Sequence, residues 1–203
     1  MGKYCKLREK LFFCTMNKAE KEKVILGIDP GTNIMGYGLI STIGNKMKLI
    51  SLGVLQLEKL DSHPLKLKKI FERTLGLIEE YKPDELAIEA PFFGKNIQSM
   101  LKLGRAQGVA MAAALYRDIP IFEYSPKKIK QSVTGKGNSS KEQVSAMLQH
   151  LLLFKETPVF LDATDGLAAA VCHYLQKGDT GKDNEKYSGW KSFMVNNPER
   201  VKK

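Results

Sequence analysis

The stretch VILGIDPGTNIMGYGLI, residues 24–40, decides how the chain is read. Val24 to Ile28 is a short β-branched and apolar run of the kind that forms a buried strand, and Asp29-Pro30-Gly31-Thr32-Asn33 is turn chemistry. Met35 to Ser41 is strand-like again. A strand that closes on an aspartate and reverses through Pro-Gly sets one carboxylate at the rim of a sheet. Taken singly, Asp29 also reads as an ordinary turn residue.

Met47 to Leu57 supplies a third strand-like run after a turn at Gly44-Asn45, so the first three strands form an antiparallel meander. Pro64 to Tyr81 carries Leu67, Ile70, Phe71, Leu75 and Ile78 at helical spacing, and Pro83 closes that helix. Glu85 to Ala90 is a fourth strand, Asn96 to Arg117 an Ala-rich helix, Ile119 to Tyr124 a fifth strand and Pro126 to Thr134 a short helix. Gly135 to Ser140 reads as a mobile linker whose serines cap a helix over Lys141 to Phe154, and a last helix covers Asp162 to Gln176. This order predicts an α/β fold: a mixed five-stranded sheet, three antiparallel strands plus two parallel, with helices on both faces. One domain is expected over 24–176. It is flanked by a charged leader (1–23) and a polar basic tail (177–203), both expected to be poorly ordered.

Three further acids share the apolar setting of Asp29: Glu89, which follows Leu86, Ala87 and Ile88, and the pair Asp162 and Asp165 in LDATDGLAAAV. A buried carboxylate is costly unless a cation or donor compensates it. Asp162 and Asp165 are three apart and share one helix face, although the pair also fits a helix N-terminal cap. Carboxylates converging from separate elements hold hard divalent cations such as Mg²⁺. Two such ions about 3.5–4 Å apart activate a water and stabilise the leaving oxygen of a phosphodiester.

Charge points the same way. The 203 residues carry a net charge of +10, and between Lys95 and Lys141 nine basic residues face only Asp118 and Glu123. A basic balance of this kind fits a polyanionic partner, nucleic acid first, while a solvated basic face is the simpler alternative. Lys127, Lys128, Lys130 and Lys141 are the candidates for phosphate contacts, and a solvent-facing Phe92 could stack on an unpaired base. Phe92 and its neighbour Phe93 read equally as core. The three cysteines show no CxxC spacing and fit a reducing, cytoplasmic setting, and no apolar run approaches the roughly 18–20 residues that span a bilayer. His63, His150 and His173 are scattered without an HExxH motif and receive no role, although His173, two turns beyond Asp165, could approach the acids. The Gly135-Lys136-Gly137 segment lacks Walker A spacing.

Five fragments, ILGIDPGTNIMGYGLI, AIEAPFFGKN, LKLGRAQGVA, FEYSPKKIKQSVTGKG and DATDGLAAAV, resemble in that order the RuvC family of crossover (Holliday) junction endodeoxyribonucleases, from about Val24 to Gln176. The resemblance implies a ribonuclease H-like fold, with Asp29, Glu89, Asp162 and Asp165 as four metal-binding catalytic acids. It places Phe92 as a base-stacking aromatic near the junction, and Lys130 and Lys141 as basic residues supporting DNA binding and catalysis. It further implies a Mg²⁺ cofactor (two ions, with Mn²⁺ as substitute), four-way junction DNA as substrate, and work alongside the RuvA and RuvB branch-migration complex. Paired nicks on a two-fold symmetric junction require two chains, hence a homodimer. Its candidate interface is the helix Asn96 to Arg117, through Met100, Leu103, Val109 and Met111. Three other readings stay open: an actin-like ATPase phosphate hairpin, a junction-binding module without catalysis, and a ribonuclease H-like nuclease acting on RNA or linear DNA.

Overall fold

The computed structural model describes residues 21–91, 96–154 and 161–178. The strands are β1 (Lys23–Asp29), β2 (Ile34–Ile43), β3 (Lys46–Gln56), β4 (Glu85–Glu89) and β5 (Ile121–Tyr124). Interleaved with them are α1 (His63–Tyr81), α2 (Ile97–Leu115), α3 (Pro126–Thr134), α4 (Lys141–Leu152) and α5 (Asp162–Gly178). They build one five-stranded sheet in the order β3-β2-β1-β4-β5. β1, β2 and β3 pair antiparallel, as the meander requires, and β4 joins β1 in parallel with β5 parallel beyond it. The sequence-derived sheet and its helices on both faces are therefore the observed ones. The proposed leader and tail lie almost wholly outside the described residues.

The period-two alternation of β1 sorts its side chains between two cores. Leu26 and Ile28 pack with Ile70, Leu77 and Ile78 of α1 and with Ala106, Ala110 and Ala114 of α2. Ile25 packs on the opposite face with Leu167 to Cys172 of α5, Ile129 and Val133 of α3, and Val144 and Leu148 of α4. Leu26 and Ile28 are both fully buried, each a stabilising contribution of about 1.5–3 kcal/mol. With a core on each side, β1 is the axis about which the molecule is assembled.

The second core is unusually thin, because helix and sheet meet through glycines. A methyl group on Gly36 would fall 1.8 Å from the Asp162 carbonyl oxygen, one on Gly38 2.5 Å from the Leu167 Cα, and one on Gly27 2.1 Å from the Gly166 carbonyl oxygen. From the helix side, a methyl on Gly166 would fall 2.6 Å from the backbone nitrogen of Tyr37. The backbone of α5 therefore rests directly on β1 and β2, closer than any side chain would permit.

Gly135 to Ser140 differs from the mobile linker expected of its composition. Gly135 closes α3 at φ 78°. The Thr134 hydroxyl donates to the Lys130 carbonyl at 2.8 Å, accepts from the Lys136 amide at 3.2 Å, and lies 2.8 Å from the buried Ser139 hydroxyl. Ser140 and Gln143 then form the reciprocal capping box that starts α4. The hydroxyls and small residues that suggested looseness are consumed in tying the turn.

The glycine contact makes a paired prediction. Gly36→Ala, which drives a methyl into backbone, is expected to cost at least about 2 kcal/mol and to lower the melting temperature by roughly 4 °C or more. Gly76→Ala in α1, whose methyl would meet nothing within 4 Å, is expected to be neutral or to gain up to about 1 kcal/mol. Calorimetry on the two variants checks both signs.

Candidate metal centre

Asp29 is the last residue of β1 and Glu89 the last of β4. Ile28 pairs with Ile88 in the parallel register, so the two acids stand one step on, at the same level of neighbouring strands. Alternation turns both toward α5 rather than into the α1/α2 core. The end of β4 is held by its neighbours. Ala90 donates its amide to the Tyr124 carbonyl, and the buried Gln107 of α2 donates to the Glu89 carbonyl at 3.4 Å and to the Glu123 carboxylate at 2.8 Å.

Asp162 and Asp165 lie in the first turn of α5, where the positive end of the helix dipole favours them. The glycine contact sets that turn against β2. Single carboxylate oxygens of Asp29, Asp162 and Asp165 consequently lie within 4.8 Å of one another. Glu89 stands outside this trio, yet among the charged groups it pushes hardest on Asp29. Asp162 and Asp165 also meet a cation. Lys141, the first residue of α4, places its Nζ 3.1 Å from Asp162 Oδ1 and 2.5 Å from Asp165 Oδ2.

The electrostatics show a deficit of positive charge. Burial, then Glu89 and Asp165, raise Asp29 well above the ordinary carboxylate range. Burial and then Asp165 push Glu89 up to about 7, and burial raises Asp165 despite the opposing Lys141. Burial disfavours the Lys141 charge, but its bonds to Asp165 and Asp162 outweigh that and raise it above the usual lysine value. One ammonium in contact does not balance four carboxylates, and Asp29, Glu89 and Asp165 are driven toward protonation. The ligand set is hard oxygen throughout, without thiolate or imidazole, and its trio converges within the reach of one small ion. It therefore fits a hard divalent cation.

The remaining sequence candidates divide. Lys130 is half-buried on α3 and close enough to stabilise the charged forms of Glu89 and Asp165, while Lys127 and Lys128 are exposed on the same helix. Phe92 lies outside the described residues. His173 does not approach the acids: it is buried at the far end of α5, with Nε2 3.0 Å from Glu85 Oε2 and Nδ1 2.6 Å from the Tyr124 hydroxyl. The eight residues separating it from Asp165 carry it about 12 Å along the helix axis. Gly27, Gly36, Gly38 and Gly166 escaped the sequence reading as site residues. Their signal was present, since Gly27 shares the face of Asp29, and Gly36 and Gly38 sit two apart on one strand face.

Residues 25–173 match the family model described as crossover junction endodeoxyribonuclease RuvC. Curated relatives of that name from Cytophaga hutchinsonii and Bacteroides fragilis are 63% identical over 181 residues and 64% identical over 184. Those alignments cover 89% and 90% of this chain and 89% and 97% of the relatives. The solved structure of T. thermophilus RuvC in complex with Holliday junction substrate matches at a TM-score of 0.72 and 29% identity, covering 78% of this chain and 96% of that one. The yeast mitochondrial Holliday junction resolvase Ydc2 shares the fold at a TM-score of 0.55 and 16% identity, over 76% of this chain and 78% of its own. With the sheet order, the acid-bearing strand ends and these likenesses in agreement, the chain belongs to the RuvC family of crossover junction endodeoxyribonucleases.

Proposed function

We propose that this chain resolves four-way (Holliday) DNA junctions in recombination and repair, nicking opposed strands by divalent-metal-dependent hydrolysis. The observation that carries this reading is the meeting of Asp29, Asp162 and Asp165 oxygens within 4.8 Å in a chain of the RuvC family. Asp29, Asp165 and Asp162 would hold the ions, with Glu89 completing the set from the neighbouring strand. The chemistry two such ions supply when bound is polarisation of the phosphoryl group and acidification of the attacking water.

The protein's own part is positional. Rigid strand ends and the first turn of α5 fix the carboxylates before substrate arrives, so little reorganisation remains at the moment of reaction. Lys141 balances two of the acids in the metal-free protein, and its ammonium becomes free for a phosphate once cations take that place. Lys130 flanks the same site, and Lys127 and Lys128 extend the positive face along α3. These contacts position the backbone and carry no sequence information. Sparse cysteine without CxxC spacing favours the cytoplasm as compartment, and the family resemblance favours the RuvA and RuvB complex as co-workers.

The dimer reading is supported by α2, although two of its four candidate contacts turn inward. Val109 and Met111 pack on their own core. The outward stripe is Ile97, Leu101, Gly104, Gly108, Ala112 and Leu115, with Ile97 70% and Leu115 61% exposed. Methyls on Gly104 or Gly108 would meet nothing within 4 Å, leaving room for a second backbone to approach. A lone helix gains nothing from keeping such a stripe in water.

Three outcomes are expected. Asp29→Asn retains junction binding and loses at least about 100-fold in Mg²⁺-dependent nicking of a synthetic immobile junction, since even outer partners of metal ligands are worth 10–100-fold. Undiminished cutting would exclude Asp29 from the chemistry. Leu101→Glu in the outward stripe of α2 shifts the sedimentation profile at micromolar concentration from dimer to monomer. A wild-type chain that sediments only as monomer would reject the dimer. The third outcome concerns pH. Because Glu89 titrates near 7 in the fold, against about 4.5 unfolded, the folded state binds the extra proton between these values, and stability falls as pH rises through the window. The metal-free protein accordingly melts lower at pH 8 than at pH 5, and Mg²⁺ raises the melting temperature at pH 8 far more than at pH 5. A flat profile under both conditions would remove the electrostatic deficit from the account.

A further inference from the structure

A second polar cleft opens at the acid-bearing end of the sheet, on the face away from α5. Its volume is about 210 Å³, room for one phosphate group with several waters. Thr32 and Asn33 of the β1–β2 turn form one wall, Asp61 and His63 at the start of α1 another, and Lys66 and Lys102 reach in from α1 and α2.

Several independent features of this cleft favour an anion. Lys66 is steered onto the turn by donating to Asn33 Oδ1 at 3.3 Å, which leaves its other protons available. Lys102 and Arg105 make no ion pair among the described residues, and Asp61 is the single acid of the lining. Burial and then Arg105, Lys102 and Lys66 hold His63 below the usual histidine value, so all three cations bear on one imidazole. Its Nε2 is buried without a hydrogen-bond partner among the described residues. The first turn of α1 carries no acid against its dipole, and its N-cap Ser62 makes no side-chain cap.

We propose that this cleft is a second anchoring point for the nucleic acid, in which Lys66 and Lys102 take one backbone phosphodiester near the acids and Arg105, three residues after Lys102 on α2 and outside the lining, adds its charge. The proposal rests on the nuclease reading for the identity of the substrate. Thr32 and Asn33 follow Asp29 by three and four residues, so chain reach puts that wall of the cleft within about 10–14 Å of Asp29, about four base steps along a duplex axis. A strand held at both points crosses the rim of the sheet with its register set, which a positive surface alone does not achieve.

The test is junction binding by the full chain, followed by fluorescence anisotropy across a salt series with chelator present. The wild type is compared with Lys66→Gln and with Lys102→Gln/Arg105→Gln, each checked for an unchanged melting temperature. The expected result is about a fivefold or greater loss of affinity and a salt slope shallower by about one, the signature of one lost phosphate contact. Unchanged affinity and slope in both variants would overturn the proposal. A second arm follows the His63 imidazole resonances. Saturable shifts with millimolar inorganic phosphate but none with junction DNA would mark a free-phosphate site and equally overturn it. Shifts with junction DNA support it. The nuclease reading fails separately: should the wild type neither prefer junctions over linear duplex nor nick them with Mg²⁺, while the slopes still fall as expected, the anchoring point stands and the resolvase assignment does not.

Discussion

The contact of α5 with β1 and β2 through Gly27, Gly36, Gly38 and Gly166 is the constraint from which the rest follows. Side chains at any of these positions would lift the helix, because the atoms they would meet are mostly backbone and cannot rotate away. Only with the helix in direct contact do Asp162 and Asp165, carried in its first turn, come level with Asp29 at the rim of the sheet. The absence of four side chains thus places two carboxylates. Apolar packing of Leu167 to Cys172 supplies the adhesion that keeps the helix there.

Stability and function pull in opposite directions at the resulting site. Folding brings Asp29, Glu89 and Asp165 together in partial burial, and all three are driven toward their neutral forms. Lys141 relieves two of the acids, which stand 21 and 24 residues further along the chain. The remaining unfavourable repulsion is offset by the packed scaffold, and it is what gives a divalent cation its purchase. A site fully neutralised by lysines would be more comfortable and would bind no metal.

Each face of the sheet has a separate task. The α5 face bears the acids with α3 and α4 beside them, contributing Lys130 and Lys141. The α1/α2 face closes the other core and turns the apolar stripe of α2 outward. The basic residues are divided between the two faces at the same end of the sheet, Lys66 and Lys102 at the polar cleft and Lys130 and Lys141 at the acids. A polyanion approaching that end meets positive charge on both sides of the rim.

Much of this was legible in the chain. The strands, the sheet with its antiparallel and parallel parts, the capped start of α4 and the four acids were all readable, because alternation, helical spacing, turn residues and carboxylates in apolar surroundings are local signals. The partners of His173, Glu85 and Tyr124, were not readable, because a count of turns gives distance along an axis and says nothing of which strand lies beside it. The Gly135–Ser140 turn was misjudged because hydroxyls that loosen a free peptide lock a chain once partners stand at hydrogen-bond distance. Val109 and Met111 looked like interface because apolar character does not reveal which face of a helix is already covered. By itself the sequence determined which residues are strand, helix and acid, since these depend on neighbours along the chain. Only the tertiary structure decided that Asp29, Asp162 and Asp165 share one ion's reach, that Lys141 bonds two of them, and that the charges of Lys66, Lys102 and Arg105 bear on one histidine. Electrostatic and steric terms act across space, and their values do not exist until the chain has folded.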